Sequence, residues 1–218
     1  VRPEAGGDGH VFVCVLGGPG PGKTSQCQTA AAELGYTHLC VGHLLKQETE
    51  SGSSDSAEIA ECMRVGTLVP TPTVLRVLQR HLEQSTGPIL LDGFPRVVDQ
   101  MDKLLQLGDV QSVLFLDCKE AVLRERMDKT DCDDEVALIA QFTDYCLPVL
   151  DLYDKQGLVQ VIDASASAEA VQSALQMKLK AFAPDGQTAM KQEAAPAADD
   201  VASPAPEPAP SADSTAAA

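Results

Sequence analysis

A glycine-rich segment that follows an apolar run carries residues suited to phosphate chemistry. Residues 17–24 read Gly-Gly-Pro-Gly-Pro-Gly-Lys-Thr and fit the pattern G-x-x-x-x-G-K-[ST]. In this pattern the loop amides surround phosphate oxygens, the lysine reaches the terminal phosphates and the hydroxyl approaches magnesium. Four constrained positions make a chance match in such a chain roughly a one-in-a-hundred event, so the segment predicts a triphosphate-binding loop.

The elements on either side of this loop would hold the phosphates. Residues 11–16 form an apolar, valine-rich run typical of a buried strand, and residues 25–34 predict a helix that ends at Gly35. A strand, a loop and a helix N terminus in this order form an anion site, because unpaired amides and the helix dipole both favour negative charge.

A second set of polar residues follows another short apolar run. Residues 89–91 predict a buried strand that delivers Asp92-Gly93-Phe94-Pro95-Arg96 at its carboxyl end. In an open parallel sheet, ligands bind at that end of the strands. We therefore expect Asp92 and Arg96 to lie near the phosphate loop.

The remaining pattern alternates short apolar strands with helices. This alternation predicts a doubly wound α/β fold with a five-stranded parallel sheet. The predicted fourth helix begins with Thr71 as its N-cap and Pro72 at its first position. The other predicted strands are residues 36–41, 113–117 and 158–162. The other predicted helices are one that begins at residue 42, one at 57–65 that ends at Gly66, one at 72–85, one at 97–107, one that ends near residue 127, one at 136–153 and one at 168–180.

Composition limits the classes of partner. The 218 residues carry a formal net charge of −16, which argues against a nucleic-acid or anionic-membrane surface. Seven cysteines are scattered without a C-x-x-C pair, a usage typical of a reduced cytoplasm. Because no apolar run reaches membrane-spanning length, we expect no membrane partner. The valine at position 1 leaves open that the chain is a fragment of a longer protein.

Composition also divides the chain. We expect a flexible lead-in at 1–10 and a folded domain at 11–183. From Pro184 the sequence is rich in alanine, proline, serine and acidic residues with little to bury, so 184–218 is predicted to be a disordered tail.

The loop and the Asp92 segment together resemble the nucleoside monophosphate kinases, most of all the short adenylate kinases of the cytosol, over residues 11–180. The loop of that family usually reads GGPGSGKGTQC, and residues 17–27 here read GGPGPGKTSQC. The resemblance implies a P-loop three-layer α/β/α fold with a small helical insertion for the monophosphate at about 40–72, and ATP with Mg²⁺ as the phosphoryl donor. Thr24 or Ser25, together with Asp92, would orient the magnesium through water. The ATP-binding residues implied are Gly18, Pro19, Gly20, Pro21, Gly22, Lys23, Thr24 and Ser25.

The monophosphate side is carried over in the same way. The family segment Tyr-Thr-His-Leu-Ser-Thr-Gly-Asp-Leu-Leu-Arg resembles residues 36–46, here YTHLCVGHLLK. Val41 replaces a threonine, and Lys46 replaces a phosphate-binding arginine, which keeps the charge but loses the bidentate fork. Gln100 matches the glutamine that reads adenine, where pyrimidine-specific relatives tend to have asparagine, so the resemblance favours AMP over UMP or CMP. The monophosphate-binding residues implied are Val41, Lys46, Thr67, Leu68, Val69, Gly93, Arg96 and Gln100.

The resemblance fails in the lid. The family has a lid of the form K-R-G-x-x-S-G-R-x-D-D-N, whereas residues 128–135 read DKTDCDDE, and no arginine follows Arg126. The arginine that precedes the lid falls at Thr130, and a later helix arginine falls near Leu138 or Phe142. Arginines of this kind stabilise the charge of the phosphoryl-transfer transition state. Lys129, Lys155 and Arg124 are the candidates to replace them.

Two functions therefore remain open. The first is an adenylate-kinase-type enzyme that transfers the ATP γ-phosphoryl group to AMP, with Lys23, Asp92 and Arg96 as catalytic residues. The second is a catalytically impaired nucleotide-binding or structural module of a larger assembly. Relatives of this fold occur in ciliary proteins, so the resemblance allows a cilium or flagellar axoneme as an alternative to the cytoplasm.

Overall fold

The computed structural model describes residues 9–20, 22–128 and 135–183. Pro21, Lys129, Thr130, most of the predicted lid, nearly all of the lead-in and the predicted tail lie outside these ranges, so the structure gives no account of them.

Five parallel strands form one sheet in the order β2-β3-β1-β4-β5. The predicted α/β class with a five-stranded parallel sheet is confirmed. The sheet places β1 at its centre and pairs Val15 of β1 with both Asp92 of β3 and Leu114 of β4. The strands are β1 (His10–Gly17), β2 (Thr37–Cys40), β3 (Ile89–Asp92), β4 (Gly108–Asp117) and β5 (Val159–Asp163).

Both faces of the sheet are covered by helices, which explains why β1 is apolar without alternation. Phe12, Cys14 and Leu16 belong to the core on one face, and Val13 and Val15 belong to the core on the other. The helices are α1 (Lys23–Leu34), α2 (Val41–Glu50), α3 (Ser56–Val65), α4 (Thr71–Leu82), α5 (Val98–Leu105), α6 (Glu120–Asp128), α7 (Glu135–Gln141), α8 (Leu147–Lys155) and α9 (Ala168–Lys180). None of the helices in the described part of the chain is long and apolar enough to cross a membrane.

Glycine ends two helices where the sequence predicts it. Gly35 and Gly66 follow α1 and α3 with φ of 74° and 72°, a left-handed conformation that favours glycine. The predicted cap of α4 is wrong, because Thr71 is already the first helical residue and Pro70 occupies the cap position. The fixed φ of proline suits the entry to a helix as well as its first turn.

Two other elements differ from the sequence pattern. Strand β4 begins at Gly108 and not at 113, since its polar first residues still pair with β1, and its register shifts between the partners of Phe12 and Val13. The predicted single helix over 136–153 contains a π-helical segment, Phe142–Cys146, between α7 and α8. Pro148 in the first turn of α8 has no N–H to donate, which removes one α-helical hydrogen bond at this junction.

Candidate nucleotide-binding and phosphoryl-transfer site

The phosphate loop joins β1 to α1 in a conformation that requires glycine. Gly20 and Gly22 have φ of 138° and 113°, which an L side chain rarely adopts. A Cβ atom on Gly17 would lie 2.9 Å from the Leu116 carbonyl oxygen, and one on Gly18 would lie 2.8 Å from Leu123 Cδ1. The glycines therefore let the loop turn while packed closely against β4 and α6.

Lys23 is the first residue of α1. Its Nζ donates a 3.1 Å hydrogen bond to the Gly17 carbonyl oxygen, six residues back. The ammonium group thus lies over the loop, where it would meet the terminal phosphates of a bound triphosphate.

The next residue, Thr24, contacts the end of β3. Thr24 Oγ1 donates a 2.7 Å hydrogen bond to Asp92 Oδ2, whereas the neighbouring Ser25 is exposed. The structure therefore brings Thr24 against Asp92 at the end of β3.

Asp92 is 1% exposed, yet its carboxyl group is held in the ionised form. Burial would raise the pKa of Asp92, but His38, Lys23 and Thr24 together outweigh burial and lower that pKa below its ordinary value. An ionised carboxylate beside a hydroxyl supplies the hard oxygen atoms that Mg²⁺ prefers, directly or through water. The residues present therefore fit a magnesium ion.

Arg96 and Gln100 lie on the other side of the site. Arg96 is exposed, its Nε donates 3.1 Å to the Gly93 carbonyl oxygen, and its backbone N–H donates 2.7 Å to Gln100 Oε1. Gln100 is 5% exposed and is not among the residues that line the cavity beside Arg96, and its side-chain NH₂ group is the hydrogen-bond donor that it could offer a base.

A cavity of about 100 Å³ lies between the two sides. Lys23 and Arg96 both line it, so the sequence motifs that carry positive charge do converge. Leu138 and Phe142 also line it, at the two positions where the sequence pattern placed the missing helix arginine. The lining residues are Leu16, Gly17, Pro19, Lys23, Leu68, Gly93, Arg96, Leu138, Gln141 and Phe142.

Contacts across this cavity hold α7 and the π-helical segment in place. The Gln141 side chain donates a hydrogen bond to the Gly66 carbonyl oxygen at the end of α3. Phe142 stacks on Phe115 of β4, with ring centroids 6.3 Å apart. Gln141 had no signal in the sequence, because its partner lies 75 residues away.

A larger cavity, about 260 Å³, lies behind the loop. Leu116, Leu123 and Val171 give it apolar walls, and Arg126 is fixed there by hydrogen bonds of 2.8 Å to the Ala164 carbonyl oxygen and 3.3 Å to that of Ala166. It adjoins Gly18, Gly20 and Gly22 of the phosphate loop, so its position suits the base and ribose of a nucleotide whose phosphates lie on the loop. No sequence motif predicted these walls, since they come from three separate elements, β4, α6 and α9.

The insertion residues predicted to bind a monophosphate are placed unevenly. Leu68 lines the smaller cavity, and Gly93 joins it there. Val41 and Val69 are 5% and 8% exposed and belong to the core, and Thr67 is exposed. Lys46 is exposed on α2 and is not among the residues that line that cavity.

Of the candidates for replacing the lid arginines, Lys129 lies outside the described residues, and neither Lys155 nor Arg124 lines the smaller cavity. Lys155 Nζ donates a 2.6 Å bond to Asp151, and Arg124 pairs with Glu120 at 2.7 Å, both on exposed helix surfaces. Lys23 and Arg96 are thus the cations that the described residues contribute to the smaller cavity.

Comparison with known proteins agrees with this geometry. A family model described as "Adenylate kinase" matches residues 15–158. UMP-CMP kinase 3 of Arabidopsis thaliana is 33% identical over 169 residues, which cover 73% of this chain and 84% of that protein. UMP-CMP kinase of Xenopus tropicalis is 36% identical over 180 residues, 73% of this chain and 91% of that protein. Human adenylate kinase isoenzyme 1 is 33% identical over 174 residues, 73% of this chain and 89% of that protein. This chain belongs to the adenylate kinase family.

Proposed function

We propose that this chain is a nucleoside monophosphate kinase of the adenylate kinase type, which reversibly transfers the γ-phosphoryl group of ATP to AMP and gives ADP. The observation that carries the proposal is the convergence of Lys23 and Arg96 on one cavity beside the Thr24–Asp92 pair. We assign the activity to residues 11–183, with the monophosphate-binding part at about 40–72, a shortened lid at about 128–135 and a separate tail at 184–218, in the cytoplasm.

Each side of the site has a distinct task in this proposal. The backbone N–H groups of the glycine loop, which also contains Pro19 and Pro21, surround the ATP phosphates. Lys23 neutralises the charge of the terminal phosphates. Thr24 and Asp92 hold Mg²⁺ through water, and a bound Mg²⁺ would offset the charge of the β- and γ-phosphates. Arg96 holds the α-phosphate of AMP, with Lys46 as a second cation from α2.

Transfer then depends on alignment. An α-phosphate oxygen of AMP attacks the γ-phosphorus of ATP, and the bond from that phosphorus to the β-γ bridging oxygen breaks as ADP leaves. The transition state is loose and its charge is spread over the equatorial oxygens, so positioning and positive charge account for most of the catalysis. Lys23 and Arg96, which both line the cavity, are the groups that supply this positioning and positive charge.

AMP is proposed as the acceptor on the strength of Gln100. Its NH₂ group can donate to N1 or N7 of adenine, and it can also donate to a carbonyl oxygen of a pyrimidine. Relatives named for UMP and CMP and relatives named for adenylate have similar identity to this chain. Competition between acceptors is therefore part of the test.

A catalytically impaired nucleotide-binding module is the second candidate, and one observation favours it. Leu138 and Phe142 present carbon atoms to the cavity at the positions proposed for a helix arginine. An arginine finger is worth about 10³ to 10⁵ in rate where it has been measured, so its loss would leave slow turnover. Such a module would act within a larger assembly, for which a cilium is the alternative location.

The test is ADP formation from ATP and AMP with Mg²⁺ on the purified chain, with Lys23→Ala as the blank and UMP and CMP as alternative acceptors. Turnover above the blank with AMP preferred is the expected result. Preference for UMP or CMP would overturn the AMP assignment. No turnover at high protein concentration, with ATP binding retained, would favour the impaired module.

A further inference from the structure

Three side chains with metal-binding atoms converge beneath the first turns of α1. The Cys27 thiol of α1, the His38 imidazole of β2 and the Asp92 carboxylate of β3 each place a ligand atom within 4.8 Å of the other two. Cys27 is 0% and Asp92 1% exposed, and the His38 side chain is 15% exposed. Because each residue comes from a packed helix or a paired strand, the group is held by the fold itself.

His38 supplies the observation that points to an ion. Its Nε2 is buried and has no hydrogen-bond partner among the described residues. The nearest carboxylate oxygen, Asp92 Oδ2, is 3.7 Å away, which is too long for a hydrogen bond. A nitrogen and an oxygen ligand on one tetrahedral Zn²⁺ are about 3.3–3.5 Å apart, given the usual zinc–ligand distances and the tetrahedral angle. Nε2 and Oδ2 therefore need to approach by only a few tenths of an ångström to share an ion.

A second thiol lies beside the group. Cys40 stands where the family segment quoted above has serine. The register pairs Cys40 directly with Asp92, and Cys40 shares one face of β2 with His38, two residues earlier. Its Sγ lies 3.7 Å from Thr24 Oγ1.

Two thiols, an imidazole and a carboxylate form a ligand set typical of zinc. Thiolate and imidazole favour Zn²⁺, whereas Mg²⁺ takes oxygen ligands. Zinc binds cysteine as the thiolate, so coordination by Cys27 releases the proton of its thiol. The nearby Lys23 ammonium is held by the Gly17 carbonyl oxygen.

We propose that Cys27, His38 and Asp92 form a binding site for Zn²⁺, with Cys40 as the fourth ligand. Zinc bound here is coordinated by the Asp92 carboxylate, which is also the acceptor of the Thr24 hydrogen bond. Because the proposed Mg²⁺ site uses the same Thr24–Asp92 pair, bound zinc should inhibit the binding of Mg-ATP. The inhibition rests on the proposed function, whereas zinc binding itself does not.

Zinc affinity is measured on the full chain without nucleotide, after a chelator has removed bound metal, by competition with a chromophoric chelator. We expect one tightly bound Zn²⁺ per chain. Cys27→Ala and His38→Gln should each weaken it more than about 100-fold, because losing a ligand costs more than the roughly 10- to 100-fold of losing an outer-shell partner. Cys14→Ala is the matched control, since Cys14 is also 0% exposed but lies on β1. Replacing Zn²⁺ with Co²⁺ should give a thiolate-to-cobalt absorption that Cys27→Ala lacks.

Two outcomes overturn the site. The first is the absence of tight zinc binding by the unaltered chain, and the second is unchanged affinity in both Cys27→Ala and His38→Gln. If Cys27→Ala does not fold, His38→Gln alone still tests the site, because His38 is partly exposed and its replacement disturbs the core less. If Cys40→Ser binds Zn²⁺ as tightly as the unaltered chain does, Cys40 is not a ligand.

The site and the kinase proposal can fail separately. Lys23→Ala should lose ATP binding and still bind zinc, so loss of zinc binding in this variant contradicts the ligand assignment. If the unaltered chain binds zinc but Mg-ATP affinity does not fall when zinc is added, the inhibition is wrong while the site stands.

Discussion

The hydroxyl of Thr24 and the carboxylate of Asp92 are joined by a 2.7 Å hydrogen bond across 68 residues of sequence. This bond links the phosphate loop to the end of β3. We expect Thr24→Ala to lower Mg²⁺ affinity in the ATP complex by about 10- to 100-fold, the range for loss of a metal ligand's hydrogen-bonded partner. The measurement is ATP binding by calorimetry over a series of Mg²⁺ concentrations.

Two neighbouring variants act as controls for that prediction. Thr24→Ser keeps the hydroxyl and should restore most of the Mg²⁺ dependence. Ser25→Ala should leave it unchanged, because Ser25 is exposed. A larger effect at Ser25 than at Thr24 would contradict the assignment of the hydroxyl.

Lys23→Ala should weaken ATP binding beyond detection by calorimetry. The chain carries 32 acidic and 16 basic residues, so the triphosphate has few other cations to attract it. Lys180→Ala, a change of an exposed lysine at the end of α9, should bind ATP normally. Equal ATP affinity in Lys23→Ala and the unaltered chain would refute the phosphate-loop assignment.

Arg96→Ala should weaken AMP binding by about 1.5 to 3 kcal/mol, the scale of a hydrogen bond to a charged group. Arg96→Lys should recover only part of this, since a lysine cannot form a bidentate contact with phosphate. Arg64→Ala is the matched control, because Arg64 pairs with Glu61 on an exposed helix surface. AMP affinity that is the same in Arg96→Ala and Arg64→Ala would mean that the monophosphate site is vestigial.

Leu138→Arg should raise the rate of ADP formation by at least about tenfold, a modest part of the 10³ to 10⁵ that an arginine finger contributes elsewhere. Leu138 is the better position to change, since Phe142 also stacks on Phe115. The control is Leu147→Arg, at a residue that is 40% exposed on α8. An equal rise in both variants would show that added charge alone is responsible, and no rise in either would reject Leu138 as the position of the missing arginine.

The ionisation of Asp92 should make the free energy of unfolding depend on pH in the acidic range. The folded-state pKa of Asp92 is below the ordinary value of 3.8, so its ionised form stabilises the fold fully above about pH 5, and this contribution falls as the pH drops through the unfolded-state and then the folded-state pKa. The difference in free energy of unfolding between the unaltered chain and Asp92→Asn should therefore shrink between pH 5 and pH 3, measured by urea denaturation. A difference that stays constant over that range would contradict a lowered pKa.

Much of the architecture follows from local pattern. The five apolar runs predicted the number of strands in the parallel sheet, because a strand buried on both faces must be apolar throughout, whereas the order of the strands in the sheet came from the structure. Gly35 and Gly66 marked helix ends, since the required left-handed conformation is local. The early start of β4 was not predicted, because pairing with β1 decides it, and the π-helical segment beside Pro148 was not predicted either.

The sequence by itself determined the phosphate loop, with Lys23 at the start of a helix, and the placement of Asp92 and Arg96 after a buried strand. Only the tertiary structure showed that the Thr24 hydroxyl donates a hydrogen bond to Asp92, since the two residues are far apart in the sequence. It also decided that Leu138 and Phe142 line the same cavity as Lys23 and Arg96, and that Cys27 and His38 meet at Asp92. These contacts join residues far apart in the chain, and packing of helices on the sheet, which no local pattern encodes, sets their distances.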